Sequence, residues 1–255
     1  MKKWFLIGGA VVVIIIIVLV IGISNLGPMI NKGVNTYGPK MTKTEVRLRD
    51  VDVSIFSGEA KLKDFYLGNP KGFKSPDAMK VGSIYVDVDE GSVTGETIII
   101  DKIEVVGPDI TYEKARGTDN FKTILNNIKK AVGTGKPSKK QAEQEADGKR
   151  ILIRDFIVRN GKVNLAVSIL GDKSVSAALP DIHLKDVGKK KEGVSPAKAF
   201  EEVFAALYGG ITSTAVTDSL NQGIKALGSG IEEVSEGAKK ELEGVTDKVK
   251  GLFGK

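Results

Sequence analysis

Apolar and polar positions repeat along this chain with two periods, and the switch between them maps its elements. In residues 81–89, Ile84, Val86 and Val88 are apolar and Tyr85, Asp87 and Asp89 stand between them. That alternation predicts a strand with one buried face. Strand-like segments run at 44–55, 59–67, 81–89, 97–106, 109–114, 150–159, 162–170, 174–179 and 181–187. Gly107-Pro108 makes a corner between two of them, and Asn160-Gly161 predicts a hairpin between two others. At 119–132 the period lengthens. Phe121, Ile124, Leu125 and Ile128 share one helical face, and Thr118 or Asp119 supplies the cap. Residues 133–149 lack apolar periodicity and form a solvated linker. A helix starts at Ser195-Pro196, carries Phe200, Val203, Phe204 and Leu207 on one face, and ends at Gly209-Gly210. The last segment runs from about 212 to 252. There Leu220, Ile231 and Leu242 recur at eleven residues, a nearly straight helical stripe.

The strands contain a short repeat. Leu48-Arg49-Asp50-Val51, Leu62-Lys63-Asp64-Phe65, Ile153-Arg154-Asp155-Phe156 and Leu184-Lys185-Asp186-Val187 are each aliphatic, basic, Asp, apolar, and Ile100-Asp101-Lys102-Ile103 is a looser copy. The basic-Asp pair switches the parity of the apolar positions. One buried face survives that switch only if the strand bulges or bends, so the repeat predicts a strongly curved sheet. The competing reading, a binding site at each pair, is the weaker one, because such pairs usually sit in solvent.

Trp4 to Ile23 is 20 residues without a charge. As a helix it would span about 30 Å, the thickness of a bilayer core. A cleavable signal peptide would have a shorter apolar core and a small-residue cleavage site, which Ser24-Asn25-Leu26 matches poorly. The expectation is an anchor at 1–24 with a cytoplasmic N-terminus. A juxtamembrane helix follows at 25–41, with Gly38-Pro39 ending its regular part. A β-rich domain occupies 42–190, and C-terminal helices occupy 195–255. The fold class expected is α+β, with a mainly antiparallel curved sheet behind a transmembrane helix.

Net charge is +6 and the pI about 9.2. The basic residues are spread out and aromatics make up 6%, so no base-stacking platform is visible and nucleic acid is not an expected partner. Lys32, Lys40, Lys43, Arg47 and Arg49 lie where anionic headgroups could attract them. The chain has no Cys, which excludes disulfides and thiolate metal sites. His183 stands alone. Gly133-Thr134-Gly135-Lys136 lacks the flanking residues of a phosphate loop. Asp87, Asp89 and Glu90 lack the closing ligand of a calcium loop. No catalytic, cofactor or metal site is expected.

Several segments together resemble the AsmA-like family of bacterial envelope proteins. These are the N-terminal anchor, TEVRLRDVDVSIFSGEAKLKDFYLGNPKGFKSPDAMKVGSIYVDVD, IIIDKIEVVGPDITYE, the helix opened by Asn120-Phe121, and IRDFIVRNGKV. The turn with Asn69, Pro70, Gly72 and Phe73 carries most of the resemblance, which covers about 28–190. In large relatives, repeated strands form a curved sheet with an apolar trough implicated in moving phospholipid between membranes. The resemblance therefore implies an inner-membrane, periplasm-facing protein that binds membrane phospholipid, with envelope proteins or its own copies as further partners. It assigns a structural role to the turn, with Phe73 plugging the sheet's end. Ile84, Val86, Val88, Ile98, Ile100, Val163, Leu165, Val167 and Ile169 are the candidate lipid-facing or core positions. The alternative is a scaffolding membrane protein whose own helices fill the sheet. At ~4.8 Å per strand, eight or nine strands cover roughly 40 Å, too little to bridge an envelope.

Overall fold

The computed structural model describes residues 26–54, 56–115, 117–133, 149–166 and 175–229. The anchor Trp4–Ile23, most of the linker, Val167, Ile169 and the chain beyond 229 lie outside them. In chain order the elements are α1 (Leu26–Thr42), β1 (Val46–Ser54), β2 (Glu59–Gly68), β3 (Asp77–Val88), β4 (Thr97–Val106), β5 (Asp109–Ala115), β6 (Thr118–Asp119), α2 (Asn120–Val132), β7 (Arg150–Arg159), β8 (Gly161–Ala166), β9 (Val175–Leu179), β10 (Ile182–Val187), α3 (Pro196–Ile211) and α4 (Thr214–Ser229).

The fold is α+β with a mixed sheet. β1, β2 and β3 pair antiparallel in sequence. The far edge of β3 is shared: its C-terminal half pairs with β4, and Met79 and Lys80 pair with β5. β4 and β5 thus form one broken line. β7 and β8 form the next, parallel to β4 and β5 respectively. β10 and β9 form the last, antiparallel to β7 and β8. Most ladders are antiparallel, as expected, and the two parallel ladders are what make the sheet mixed. Parallel neighbours need a long crossover, and here β6, α2 and the linker between β5 and β7 provide it. Asn160-Gly161 is likewise a bend within one line, not a hairpin. Only Asn160 takes a positive φ, at 55°, whereas a tight hairpin turn needs two such residues or a leading Gly. The strands on either side pair outward, with β4 and β5.

The sheet breaks along a common line. Buried positions are even in Val46–Leu48 and odd at Val51; even at Ala60 and Leu62 and odd at Phe65 and Leu67; odd at Met79 and Val81 and even from Ile84. The same switch occurs across Gly107-Pro108, across Asn160-Gly161 and across Pro180-Asp181. The antiparallel register keeps these breaks opposite one another, with Leu48 facing Phe65 and Asp50 facing Lys63. A second line crosses β10, β7 and β4 at Asp186, Arg154 and Asp101. Asp64 and Asp186 take φ of 50° and 56°, the left-handed region that Asp tolerates better than most residues. Asp64 pairs across the sheet with Arg49, Asp186 pairs locally with Lys189 at 2.9 Å, and along the second line Arg154 pairs with Asp101. At this exposure the pairs add little stability; the backbone bends are the feature they accompany.

All four described helices pack into the one buried face. α1 lies along β1, α2 against α3, α3 over β7 and β10, and α4 over β9. Phe121 of α2 stacks on Phe204 of α3 with ring centroids 5.9 Å apart. The side chain of Asp119 caps α2 by accepting from Lys122 N, and Ser195 caps α3 by accepting from Lys198 N. α1 continues through Gly38-Pro39, and α3 continues through Gly209-Gly210 to Ile211. Both glycines sit where a helix meets a strand: a Cβ on Gly38 would stand 2.7 Å from Val46, and one on Gly210 would stand 2.7 Å from Ile182. They permit close packing and do not end their helices. No helix among the described residues is long and apolar enough to cross a membrane.

Candidate functional site: the covered sheet face and the turn at its end

The turn between β2 and β3 is held from within. Asn69 donates through Nδ2 to the carbonyls of Ser75 and Asp77, at 2.9 and 3.0 Å. Its Oδ1 accepts from Asn120 Nδ2 at 2.7 Å. Pro70 is buried, and Gly72 has φ 102°. The turn folds over Glu113, whose two carboxylate oxygens accept the backbone N–H groups of Lys74 and Ser75, at 2.7 and 2.8 Å. Phe73 is only half-buried and does not join the hydrophobic core. It does not plug the sheet. The lock is polar: Asn69, Glu113 and Asn120 hold the turn to β5 and to the first residue of α2.

A second buried polar group adjoins it. Asp119 accepts from Lys122 N with one oxygen and from Tyr208 Oη with the other, at 3.0 Å. Burial, and next the charge of Asp119, pushes the Tyr112 and Tyr208 hydroxyls above the ordinary tyrosine range. Among the described residues no buried side-chain nitrogen or oxygen lacks a hydrogen-bond partner.

Of the candidate lipid-facing or core positions, Ile84, Val86, Val88, Ile98, Ile100, Val163 and Leu165 are all buried and belong to one hydrophobic cluster. That cluster also contains Ile30 and Val34 of α1, Ile124 of α2, Phe204 of α3 and Leu220 of α4. Helix side chains occupy the space that a trough would leave open.

The outer face is polar. His183 Nε2 contacts the Asp155 carboxylate on exposed strand surface. Asp87 lies in an open basin of about 610 Å³ with Asp52, Glu59, Tyr85, Lys102 and Glu104. Burial, then Asp101 and Glu59, raises its pKa. Among the described residues no three acidic or His side chains are grouped to hold a metal ion. Gly133 closes α2 with φ 93°. Arg47 and Arg49 are engaged by Glu45 and Asp64, while Lys32 and Lys40 lie on the exposed stripe of α1.

No family model, curated protein or solved structure matches this chain.

Sequence reasoning missed Glu113 and Tyr208. Glu113 reads as an outward-facing strand residue, and its partners lie 38 and 39 residues away. Asp119 and Asn120 were visible as a helix start, which was the available signal for this cluster.

Proposed function

We propose that the chain is a membrane-anchored, non-catalytic scaffold module of the bacterial envelope, with its sheet filled by its own helices and no lipid cargo. The run Trp4–Ile23 supports the anchor, and the AsmA-like segments support an inner-membrane protein with its domain in the periplasm. The observation that carries the choice against a lipid carrier is the filling of the apolar sheet face. Ile98, Ile100, Ile110, Ile151 and Val163 have no exposed surface and share one hydrophobic cluster with side chains of all four helices. A lipid carrier must keep such a surface open to an acyl chain. Covering it with helix side chains instead yields an ordinary two-layer core. The partners of a scaffold are then envelope proteins or further copies, and membrane phospholipid is its surroundings.

The test is photo-crosslinking in cells grown with radioactive phosphate. A benzoylphenylalanine at Phe204, close in shape to the native ring, sits against the covered face. The expected result is an adduct within the chain and no labelled lipid. A phosphate-labelled adduct would restore the lipid-binding reading.

A further inference from the structure

Phe56 is fully exposed, at 101%; among the described residues the next large apolar side chains are Tyr85 at 40% and Val106 at 37%. It sits at the tip between β1 and β2, in the sequence Ser54-Ile55-Phe56-Ser57-Gly58. The tip is built. Val88 N donates to the Gly58 carbonyl at 3.1 Å. Gly58 has φ +66°, and a Cβ there would strike the Val88 carbonyl at 2.2 Å. Ser57 Oγ bonds Ser54 Oγ and Glu59 Oε2, at 2.8 and 3.0 Å. The ring is held out on a pinned turn.

The position of the tip gives it meaning. α1 runs antiparallel along β1: Gly27 lies against the Val51 carbonyl, Asn31 Nδ2 donates to the Leu48 carbonyl, and Gly38 lies against Val46. The start of α1 and the hairpin tip therefore share one end of the molecule. From Val51 the strand runs three residues to Ser54, roughly 10 Å, and Phe56 stands in the turn beyond it. Ile23, the last residue of the apolar run, is three residues before Leu26, so roughly 11 Å of chain at most separates them. We infer that the hairpin tip, led by Phe56, dips into the bilayer that Trp4–Ile23 spans, giving the domain a second membrane contact and a fixed tilt. The inference rests on the anchor reading above. A bilayer fits better than a protein partner because one ring is far smaller than the ~800 Å² per partner of a stable protein interface. Aromatic rings also favour the membrane–water boundary.

The chain has a single Trp, Trp4, which permits a direct test with the full chain in phosphatidylethanolamine–phosphatidylglycerol vesicles. In a Trp4→Phe background, Phe56→Trp places an indole at the tip and Val106→Trp places one on the outer sheet face. The tip indole should emit blue-shifted light and be quenched by lipids brominated near the headgroup end of the acyl chain. Its quenching by iodide should be severalfold weaker than at position 106. An iodide-accessible tip indole, or one shielded yet untouched by brominated lipid, would overturn the inference while the anchor stands. The unmodified chain is extracted with alkaline carbonate in parallel. Its release from the vesicles would mean that the anchor reading has failed, and the inference with it.

Discussion

Asn120 has no exposed surface, and both polar ends of its side chain are occupied. Nδ2 donates to Asn69 Oδ1 and the Thr111 carbonyl; Oδ1 accepts from Glu113 N and Phe121 N. Asn120→Ala strands several buried groups at once. At ~1–3 kcal/mol for a stranded group, urea unfolding of the detergent-solubilised chain should show a loss of about 3 kcal/mol. Phe73→Ala should cost only about 1 kcal/mol, because its ring is half-exposed; equal losses for the two variants would contradict the polar lock. Tyr112 and Tyr208 give the site a pH dependence. Unfolded tyrosine ionises near pH 10, whereas both folded hydroxyls keep their protons to higher pH. Above about pH 10 the unfolded state therefore binds fewer protons. The stability these groups contribute is full below that pH and is lost progressively above it, until the folded hydroxyls ionise as well. Tyr208→Phe should make that alkaline decline shallower than in the unmodified chain, as read from urea midpoints across the range.

At the scale of elements, the breaks in β2 and β10 each turn on one backbone position, Asp64 and Asp186. Asp64 has φ 50° with its side chain half in solvent. Asp64→Gly relieves that conformation and loses one exposed ion pair, so its stability should change by less than about 1 kcal/mol. Asp64→Val puts a β-branched residue in the left-handed region and should cost about 2 kcal/mol. Similar urea midpoints for the two variants would mean that this bulge is not fixed by its backbone. α4 depends on the sheet in another way. Val216, Leu220 and Ile224 are buried, and Gly223 lies against Val175. A 212–255 peptide loses that surface, and Gly223, Gly228, Gly230, Gly237 and Gly244 each weaken an isolated helix by ~1 kcal/mol. Its circular dichroism in plain buffer should show little helix. Strong helicity there would show that the segment folds without the sheet.

Taken whole, the described molecule has one hydrophobic cluster, which all four helices and both halves of the broken sheet share. Its centre is β3, which pairs with β2, β4 and β5. Residues that can exchange only when this cluster opens should be the slowest in amide hydrogen exchange. The prediction is greatest protection at Val86 and Ile103, which pair across the β3–β4 ladder, and lesser protection near the ends of α1 and α4. Equal protection at the helix ends would instead make the helices part of the slowest unit. The same topology limits reach. Each broken line counts once, so the sheet is six strands wide, roughly 29 Å at ~4.8 Å per strand.

The sequence by itself determined what depends on near neighbours. Period two and period 3.6 marked the strands and α2. Asp119 and Ser195 marked helix starts, and the repeated basic-Asp pairs marked some of the places where buried parity switches. Each of these is set by backbone geometry within a few residues. Tertiary structure decided the rest. It carried α1 through Gly38-Pro39 and α3 through Gly209-Gly210, because Val46 and Ile182 needed close approach there. It made Asn160-Gly161 a bend, because β7 and β8 found partners on β4 and β5. It moved the weight of the β2–β3 turn from Phe73 to Glu113 and Asn120, whose partners lie far away in the chain. It also filled the apolar sheet face with helices, which no local pattern records, because an amphipathic stripe shows that a face will be buried and not what will cover it.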